Sequence, residues 1–592
     1  MFKTLRNNLK FFKNISAVLK VMKGQEPDTT RLITDDIEDT VDRLADKPAI
    51  IFEGASLTFR EFDARANRFA QWALGQGLQP GHAVALVMEN CPDYPTIWYG
   101  LSKVGVVTAL INSNLEGKGL AHCINIADCK AVIANGKQAE AVQAIAPDLA
   151  EGIKAWDLDG RFGENLEAAL NDVPCTRPSR DHRTHLRGKD TMLFIYTSGT
   201  TGLPKAARIP HMRMARSARM PVAMCGLSEE DIVYNVLPLY HITGGGLGMG
   251  GALLVGATTV LRRGFSASGF WTDASDYKPT VFFYVGELCR YLVNTEEHPL
   301  ERAHRFRAGV GNGMRGEVWK ALVDRFGISS MHELYGSTEG NVAFLNLDGA
   351  VGAVGQLPPF FEKMFGATFV KFDVEMEMPV RNSKGRCIKA APGEVGEAIG
   401  RIKETGMNAF EGYHDKKETN SKILRDVFQP GDAWFRTGDL MKRDDLGYIY
   451  FIDRIGDTFR WKGENVATNE VADVMSAFHG IETANVYGVP VTGCEGKAGM
   501  AALTVSGELD FTALHDYLQA NLPPYAVPLF LRIQGEASVT GNFKFQKVTV
   551  QKEGFDINRL SDDIWFRCPQ TKAYIPLDAG IYERIQKTDI KL

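Results

Sequence analysis

The sequence predicts an α/β protein, and three observations carry that prediction. From residue 45 onward short apolar strands alternate with amphipathic helices, the pattern of parallel sheets with helices on their faces. Glycine is abundant, 59 of 592 residues, which suits tight turns and close approaches of backbone to ligand. Near residue 453 short β strands give way to a compact mixture of helices and strands. A large domain and a second, smaller α+β domain are therefore expected, as the length also requires.

The elements follow in order. In MFKTLRNNLKFFKNISAVLKVMKG, Phe2, Leu5, Leu9, Phe12, Ile15, Leu19 and Met22 recur at helical spacing, and six Lys or Arg residues precede any acid. This reads as a basic amphipathic helix for an anionic membrane surface; the alternative is a helix packed on the domain or on a dimer partner. It lacks the uninterrupted apolar run of a secretory signal. Residues 57–78 have helical spacing and end at glycine, and 83–90 read as a buried strand. Residues 92–112 give a helix then a strand, and 130–136 another strand. Residues 150–190 are more polar and are expected to run over the surface. Residues 242–261 carry no charge and are long enough to cross a bilayer, yet seven of the twenty are glycine. A glycine-rich turn, a buried helix and a strand of a soluble core are expected there. Residues 453–457 read as a hinge, where Gly456 gives the backbone freedom. The expected division is 1–30 for the basic segment, 31–453 for the large domain and 454–592 for the small one.

Bulk properties exclude several classes. A net charge of −5 offers no basic excess for nucleic acid. The nine cysteines are odd in number, and the nearest pair, Cys123 and Cys129, lacks CxxC spacing. Reduced, mostly buried thiols in a cytoplasmic protein are expected.

Five stretches carry chemistry. In IYTSGTTGLPKAA, residues 195–207, the hydroxyls and unhindered N–H groups of Thr197, Ser198, Gly199, Thr200, Thr201 and Gly202 suit an anion, with Lys205 adding charge. No Walker A spacing can be drawn through it. Tyr335-Gly336-Ser337-Thr338-Glu339-Gly340 places a carboxylate beside hydroxyls at a strand end, which suits Mg²⁺ on phosphate oxygens, and an aromatic that can cover a purine. In Trp434-Phe435-Arg436-Thr437-Gly438-Asp439-Leu440, an acid after a Thr-Gly turn can accept both hydroxyls of a ribose. The stretch 453–465, DRIGDTFRWKGEN, brings cations for phosphate or ribose, among them Arg454; a charged β-hairpin is the alternative. Thr540-Gly541-Asn542-Phe543-Lys544 adds a lysine in the small domain.

Together these stretches resemble the adenylate-forming superfamily of acyl-CoA synthetases, luciferases and peptide-synthetase adenylation domains, over residues 45–550. DRIGDTFRWKGENVATNEV and TGNFKFQKV look most like its fatty-acid transport protein and very-long-chain acyl-CoA synthetase branch. The resemblance implies the adenylate-forming fold: helix-flanked mixed sheets, a β-barrel-like part and a small mobile C-terminal lid. It implies that the 197–205 loop holds the β and γ phosphates of ATP, that Thr338 contacts phosphate and that Glu339 holds Mg²⁺. Gly311-Asn312-Gly313 and Tyr335 would line the nucleotide, while Asp439 and Arg454 would fix its ribose. LPLYHITGG places His241 beside the acyl pocket, with a core histidine as the alternative. Lys544 would be the adenylation lysine, with Lys547 as competitor, because TGNFK departs from the usual Thr-x-Ser-Gly-Lys. The implied activity is ATP-dependent ligation of a long-chain fatty acid to coenzyme A through an acyl-adenylate. A ligase for another apolar acid, such as a bile or aryl acid, and a fatty-acid uptake protein are the alternatives. A homodimer and a peripheral position on the inner face of a membrane, through residues 1–24, complete the expectation.

Overall fold

A computed structural model describes residues 2–197, 204–336, 341–374, 376–403, 416–462, 464–494, 496–537, 547–571, 573–590 and 592. The chain divides into two compact units, Met1–Pro358 with Arg401–Ile423 and Pro359–Gly400 with Leu424–Leu592. The 453/454 position lies inside the second.

In the first unit, β1 (Pro48–Phe52) and β2 (Ala55–Thr58) wait for a sheet completed much later. The chain next lays down β3 (Ala83–Val87), β4 (Val107–Leu110), β5 (Cys129–Ala134), β6 (Lys154–Asp157), β7 (Glu164–Asn165), β8 (Thr191–Thr197) and β9 (Lys205–Pro210). These form one sheet in the order β7-β6-β5-β3-β4-β8-β9. Then come β10 (Ile232–Asn235), β11 (Thr258–Leu261), β12 (Val281–Val285), β13 (Ala308–Asn312), β14 (Met331–Gly336) and β15 (Ala343–Asn346). They join β1 and β2 as β15-β14-β13-β12-β10-β11-β1-β2. The two sheets are wound alike. In each, one strand, β3 or β10, takes the next strand of the chain on one side and the one after on the other, all parallel. Ligands of such sheets lie outside the carboxyl ends of the strands, where the winding reverses.

Both faces are covered, so the central strands read as apolar runs: every residue of β3 (AVALV) is buried. Helix Phe59–Gly75 starts at a reciprocal cap, in which Glu61 N–H donates to Thr58 Oγ1 at 3.2 Å and Thr58 N–H to the Glu61 carboxylate at 2.8 Å. Its Phe62, Phe69 and Trp72 are buried, and the helix packs on helix Asp93–Ser102.

Residues 150–190 are mostly exposed, as expected of a surface run, but the run is anchored by buried side chains. Trp156, Leu166 and Leu170 are buried, and so is Arg183, which binds Asp35 at 2.9 Å and Glu38 at 2.5 Å. The fully buried Lys103 joins the same cluster through Glu38 at 3.2 Å and Asp63 at 2.7 Å. Composition alone hides this, because paired charges can be buried together.

Residues 242–249 also differ: a π-helix, Ile242–Met249, replaces the glycine-rich turn and runs into helix Gly250–Val255 and β11. A Cβ at Gly245 would stand 2.2 Å from the Leu239 carbonyl oxygen, so glycine lets the wide helix press on the segment before it.

The N-terminal helix, Phe2–Met22, packs on helix His211–Cys225. Its buried face is Phe11, Ile15, Val18 and Met22, whereas Leu9, Phe12 and Leu19 of the expected apolar stripe are 63%, 53% and 42% exposed. The helix is thus apolar on two sides, one spent on its own unit. Asp348 receives Lys10 at 3.2 Å and Asn14 at 2.6 Å and fixes that side. No helix among the described residues is long and apolar enough to cross a membrane.

The second unit opens with antiparallel strands Ala367–Asp373, Val395–Arg401, Ala433–Arg443 and Tyr448–Arg454. A hairpin, Phe459–Trp461 with Glu464–Val466, follows. Last comes a five-stranded sheet from Ile481–Pro490 to Ala573–Pro576 in chain order, with Tyr487, Phe530 and Phe566 in its core. Gly456 has φ +93° and open space where a Cβ would stand. All nine cysteines are free.

Candidate active site

The carboxyl edge of the second parallel sheet gathers most of the sequence-predicted residues that the structure describes. Segment 237–241 follows β10, Gly311 and Asn312 close β13 with Gly313 beyond, and Tyr335 is the last residue but one of β14, just before residues 337–340. Thr338 and Glu339 lie outside the described residues.

His241 is half-buried and caps the π-helix, its carbonyl accepting Gly245 N–H at 2.8 Å. Its ring lies 4.4 Å from that of Tyr240, centroid to centroid. Asn90, a buried side chain after β3, holds the segment from the other sheet. It donates to the carbonyls of Leu237 at 2.9 Å and Arg262 at 3.0 Å and accepts Leu239 N–H at 2.9 Å. Thr243 Oγ1 approaches Asn312 Oδ1 at 3.5 Å, linking the π-helix to the end of β13.

Gly311 is buried and sits opposite Tyr284 in the β12–β13 ladder. A Cβ there would stand 2.2 Å from the Tyr284 carbonyl oxygen and 2.5 Å from its ring. Gly313 is exposed with φ +79° and nothing within 4 Å of a Cβ, so it serves the turn rather than the packing. Tyr335 is half-buried, its ring stacked on Phe344 at 5.7 Å.

Sequence reasoning missed Glu333 beneath this loop. Its buried carboxylate accepts the N–H groups of Gly313 at 2.9 Å and Met314 at 3.0 Å, and the Tyr284 hydroxyl at 3.0 Å. Burial pushes the carboxyl up to about 7 against those three donors. The one available signal was a lone acid inside the apolar strand MHELY.

In the first sheet, Thr197 ends β8 and lies opposite Lys205, the first residue of β9. β8 and β9 are therefore an antiparallel pair, one on each side of the phosphate-type segment in the chain. Ser198, Gly199, Thr200, Thr201 and Gly202 lie outside the described residues; the Lys205 side chain is buried.

In the second unit, Asp439 lies in strand Ala433–Arg443 just after a kink, where Gly438 takes φ +78° and Thr437 Oγ1 accepts the Asp439 N–H at 3.1 Å. Asp439 and Arg454 are ladder partners with an ion pair at 3.8 Å, so the structure brings these two together. Beside them Asp453 is buried, accepting the Thr468 N–H at 2.5 Å and hydroxyl at 2.8 Å and Asn469 at 2.8 Å. Burial pushes its carboxyl up. Lys544 lies outside the described residues. Its competitor Lys547 donates to Thr468 Oγ1 at 2.6 Å and pairs with Asp457 at 3.3 Å.

Solved structures share this architecture. An anthranilate CoA ligase in complex with anthranoyl-AMP superposes with a TM-score of 0.75 at 20% identity, covering 88% of this chain and 97% of that one. ATP-bound MatB of Rhodopseudomonas palustris gives 0.73 at 23%, covering 88% and 99%. The fold is that of the adenylate-forming enzymes. The AMP-binding enzyme family model matches residues 37–414. The chain is 43% identical over 556 residues to long-chain fatty acid transport protein 6 of Mus musculus, covering 92% of this chain and 89% of that protein. Against long-chain fatty acid transport protein 2 of Rattus norvegicus the identity is 41% with the same coverage. The chain belongs to the AMP-binding enzyme family, in the group of the long-chain fatty acid transport proteins.

Proposed function

We propose that the protein is an ATP-dependent, AMP-forming ligase that joins a long-chain fatty acid to coenzyme A. The observation that carries this is the gathering of His241, Gly311–Gly313 and Tyr335 at one carboxyl sheet edge in a member of the AMP-binding family whose relatives are named for long-chain fatty acids.

A carboxylate resists thiolysis because oxide is a very poor leaving group. Attack of the fatty carboxylate on the α-phosphorus of ATP expels pyrophosphate and makes AMP the later leaving group. Two anions must approach, so the task is electrostatic and positional. In this reading Thr197, Ser198, Gly199, Thr200, Thr201, Gly202 and Lys205 hold the β and γ phosphates, and Thr338 meets a phosphate oxygen. Gly311, Asn312, Gly313 and Tyr335 face the base, the Asp439–Arg454 pair takes the ribose, and His241 borders the acyl chain. Lys544 neutralises developing charge. Lys547 is already engaged by Thr468 and Asp457, which supports Lys544. Glu339 would hold Mg²⁺, with phosphate and water completing its shell, since this ion takes few protein ligands. Bound there, the ion would supply positive charge to the phosphates. In the second half-reaction the segment after Gly456 turns as a lid, and the coenzyme A thiol attacks the acyl-adenylate.

The exposed Leu9, Phe12 and Leu19, flanked by Lys10, Lys13 and Lys20, support a peripheral position on the cytoplasmic leaflet. Ligation there would draw fatty-acid uptake forward, which accommodates the relatives' names. Radiolabelled pyrophosphate exchange against fatty acids of rising length and against bile and aryl acids tests the reading, followed by coenzyme A-dependent AMP release. Exchange with long-chain acids and thiol-dependent turnover are expected. Fatty-acid binding without exchange would replace the ligase with an uptake or binding protein.

A further inference from the structure

We infer that Glu333 is a positioning residue for adenylation: by accepting the N–H groups of Gly313 and Met314, its buried carboxylate sets the loop that faces ATP. The inference rests on the proposed placement of ATP against Gly311–Gly313.

Three elements converge on this carboxylate. β14 supplies Glu333 itself, the turn after β13 supplies the two N–H groups, and β12 supplies the Tyr284 hydroxyl, which donates to Glu333 at 3.0 Å and to the His332 carbonyl at 3.1 Å. The same Tyr284 lies against Gly311. One acid therefore ties the loop's downstream end to the residue that packs under its upstream end. A structural acid in a strand would be cheaper as an apolar residue; this one is retained where three donors need an acceptor.

The titratable groups facing it are Tyr284 from β12 and Cys289 from helix Gly286–Asn294, both held neutral by burial; His332, its neighbour in the strand, is pushed down by burial and bonds Ser330 instead. β13 and β15 place Gly311 and Asn346 beside it, and neither titrates. No cation among the described residues shifts it. Ionised, the carboxylate serves all three donors; protonated, it brings an O–H among donors, and the loop loses an acceptor. With the carboxyl near 7, ATP affinity falls as pH falls through that value. Stability moves the other way. The folded-state value lies above the unfolded one, so protonation favours the fold and the group adds stability as pH drops below about 7. The stability trend follows from the raised carboxyl whatever its role; the loss of ATP affinity toward acid is the part that a purely structural role does not predict.

The test is Glu333→Gln in the full chain. ATP binding by calorimetry and pyrophosphate exchange with a long-chain acid are followed from about pH 6 to 8.5, with thermal melting alongside. The wild type is expected to lose ATP affinity toward acid, while the variant binds about tenfold more weakly at pH 8 with no acid limb. Its KM for ATP rises, kcat at saturating ATP stays within about twofold, and its melting temperature at pH 8 is unchanged or higher. Should Glu333→Gln not fold, Tyr284→Phe serves: it removes one donor to the carboxylate and should move the acid limb to higher pH. A folded Glu333→Gln with wild-type KM for ATP and the acid limb intact overturns the inference, as does an unmoved limb in Tyr284→Phe. A wild type that binds no ATP overturns the proposed function instead.

Discussion

Gly311→Ala offers the sharpest test of the loop that closes β13. The added methyl would stand 2.2 Å from the Tyr284 carbonyl oxygen and 2.5 Å and 2.7 Å from two atoms of its ring. Neither obstacle yields easily. The carbonyl belongs to a strand in register with β13 across five residue pairs, and the ring is tethered through its hydroxyl to Glu333 and His332. Overpacking in a fixed environment costs about 1–3 kcal/mol, and pinning on two sides puts this case at about 3 kcal/mol. Relief comes from separating β12 from β13, which displaces Asn312 and Gly313. Gly313→Ala is the internal control: its Cβ has open space, so only the left-handed backbone is penalised, by about 1 kcal/mol. Chemical denaturation with pyrophosphate exchange on both variants reads the difference. Gly311→Ala should lose about 3 kcal/mol and at least tenfold in kcat/KM for ATP, Gly313→Ala about a third of that stability. Equal losses in the two variants, or a Gly311→Ala chain of wild-type stability, would refute the packing argument.

Three further outcomes are expected. Lys544→Ala should cripple adenylation yet largely spare thioester formation from supplied acyl-adenylate, whereas Lys547→Ala should cost about 1 kcal/mol in stability through its pair with Asp457 and leave adenylation within a few-fold; single-turnover assays of each half-reaction separate the two. Glu339→Ala should abolish Mg²⁺-dependent exchange, and wild-type turnover would remove that residue from the metal. Leu9→Glu, Phe12→Glu and Leu19→Glu together should weaken co-sedimentation with anionic liposomes by roughly 3 kcal/mol, about 100-fold, because three exposed apolar side chains lose their favourable transfer. Melting should stay unchanged, since the packed face is Phe11, Ile15, Val18 and Met22.

Much of the fold was legible because its strands are buried on both faces and read as plain apolar runs, AVALV being the clearest. The adjacency of Asp439 and Arg454 was not stated by either motif, because it depends on the register of two antiparallel strands. Asn90 and Glu333 escaped for one reason: a single polar residue near a strand end looks like a solvated one until its partners, far along the chain or in the next strand, are placed. The π-helix escaped because its ladder has no distinct side-chain period and its glycines suggested a turn. The face of the N-terminal helix was misjudged because apolar residues occupy two of its sides.

The clasp at Asn90 also fixes an order of events during biosynthesis. Its acceptor on Leu237 lies 147 residues downstream, so the ribosome needs roughly 7–30 s between emitting one and the other. The earlier half of the winding can collapse in that interval, but the Asn90 amide has nothing to grip until the rim at 237–241 is translated. Maturation of that rim therefore comes late, and slowing elongation between the halves should prolong a nascent species whose amide is still bare.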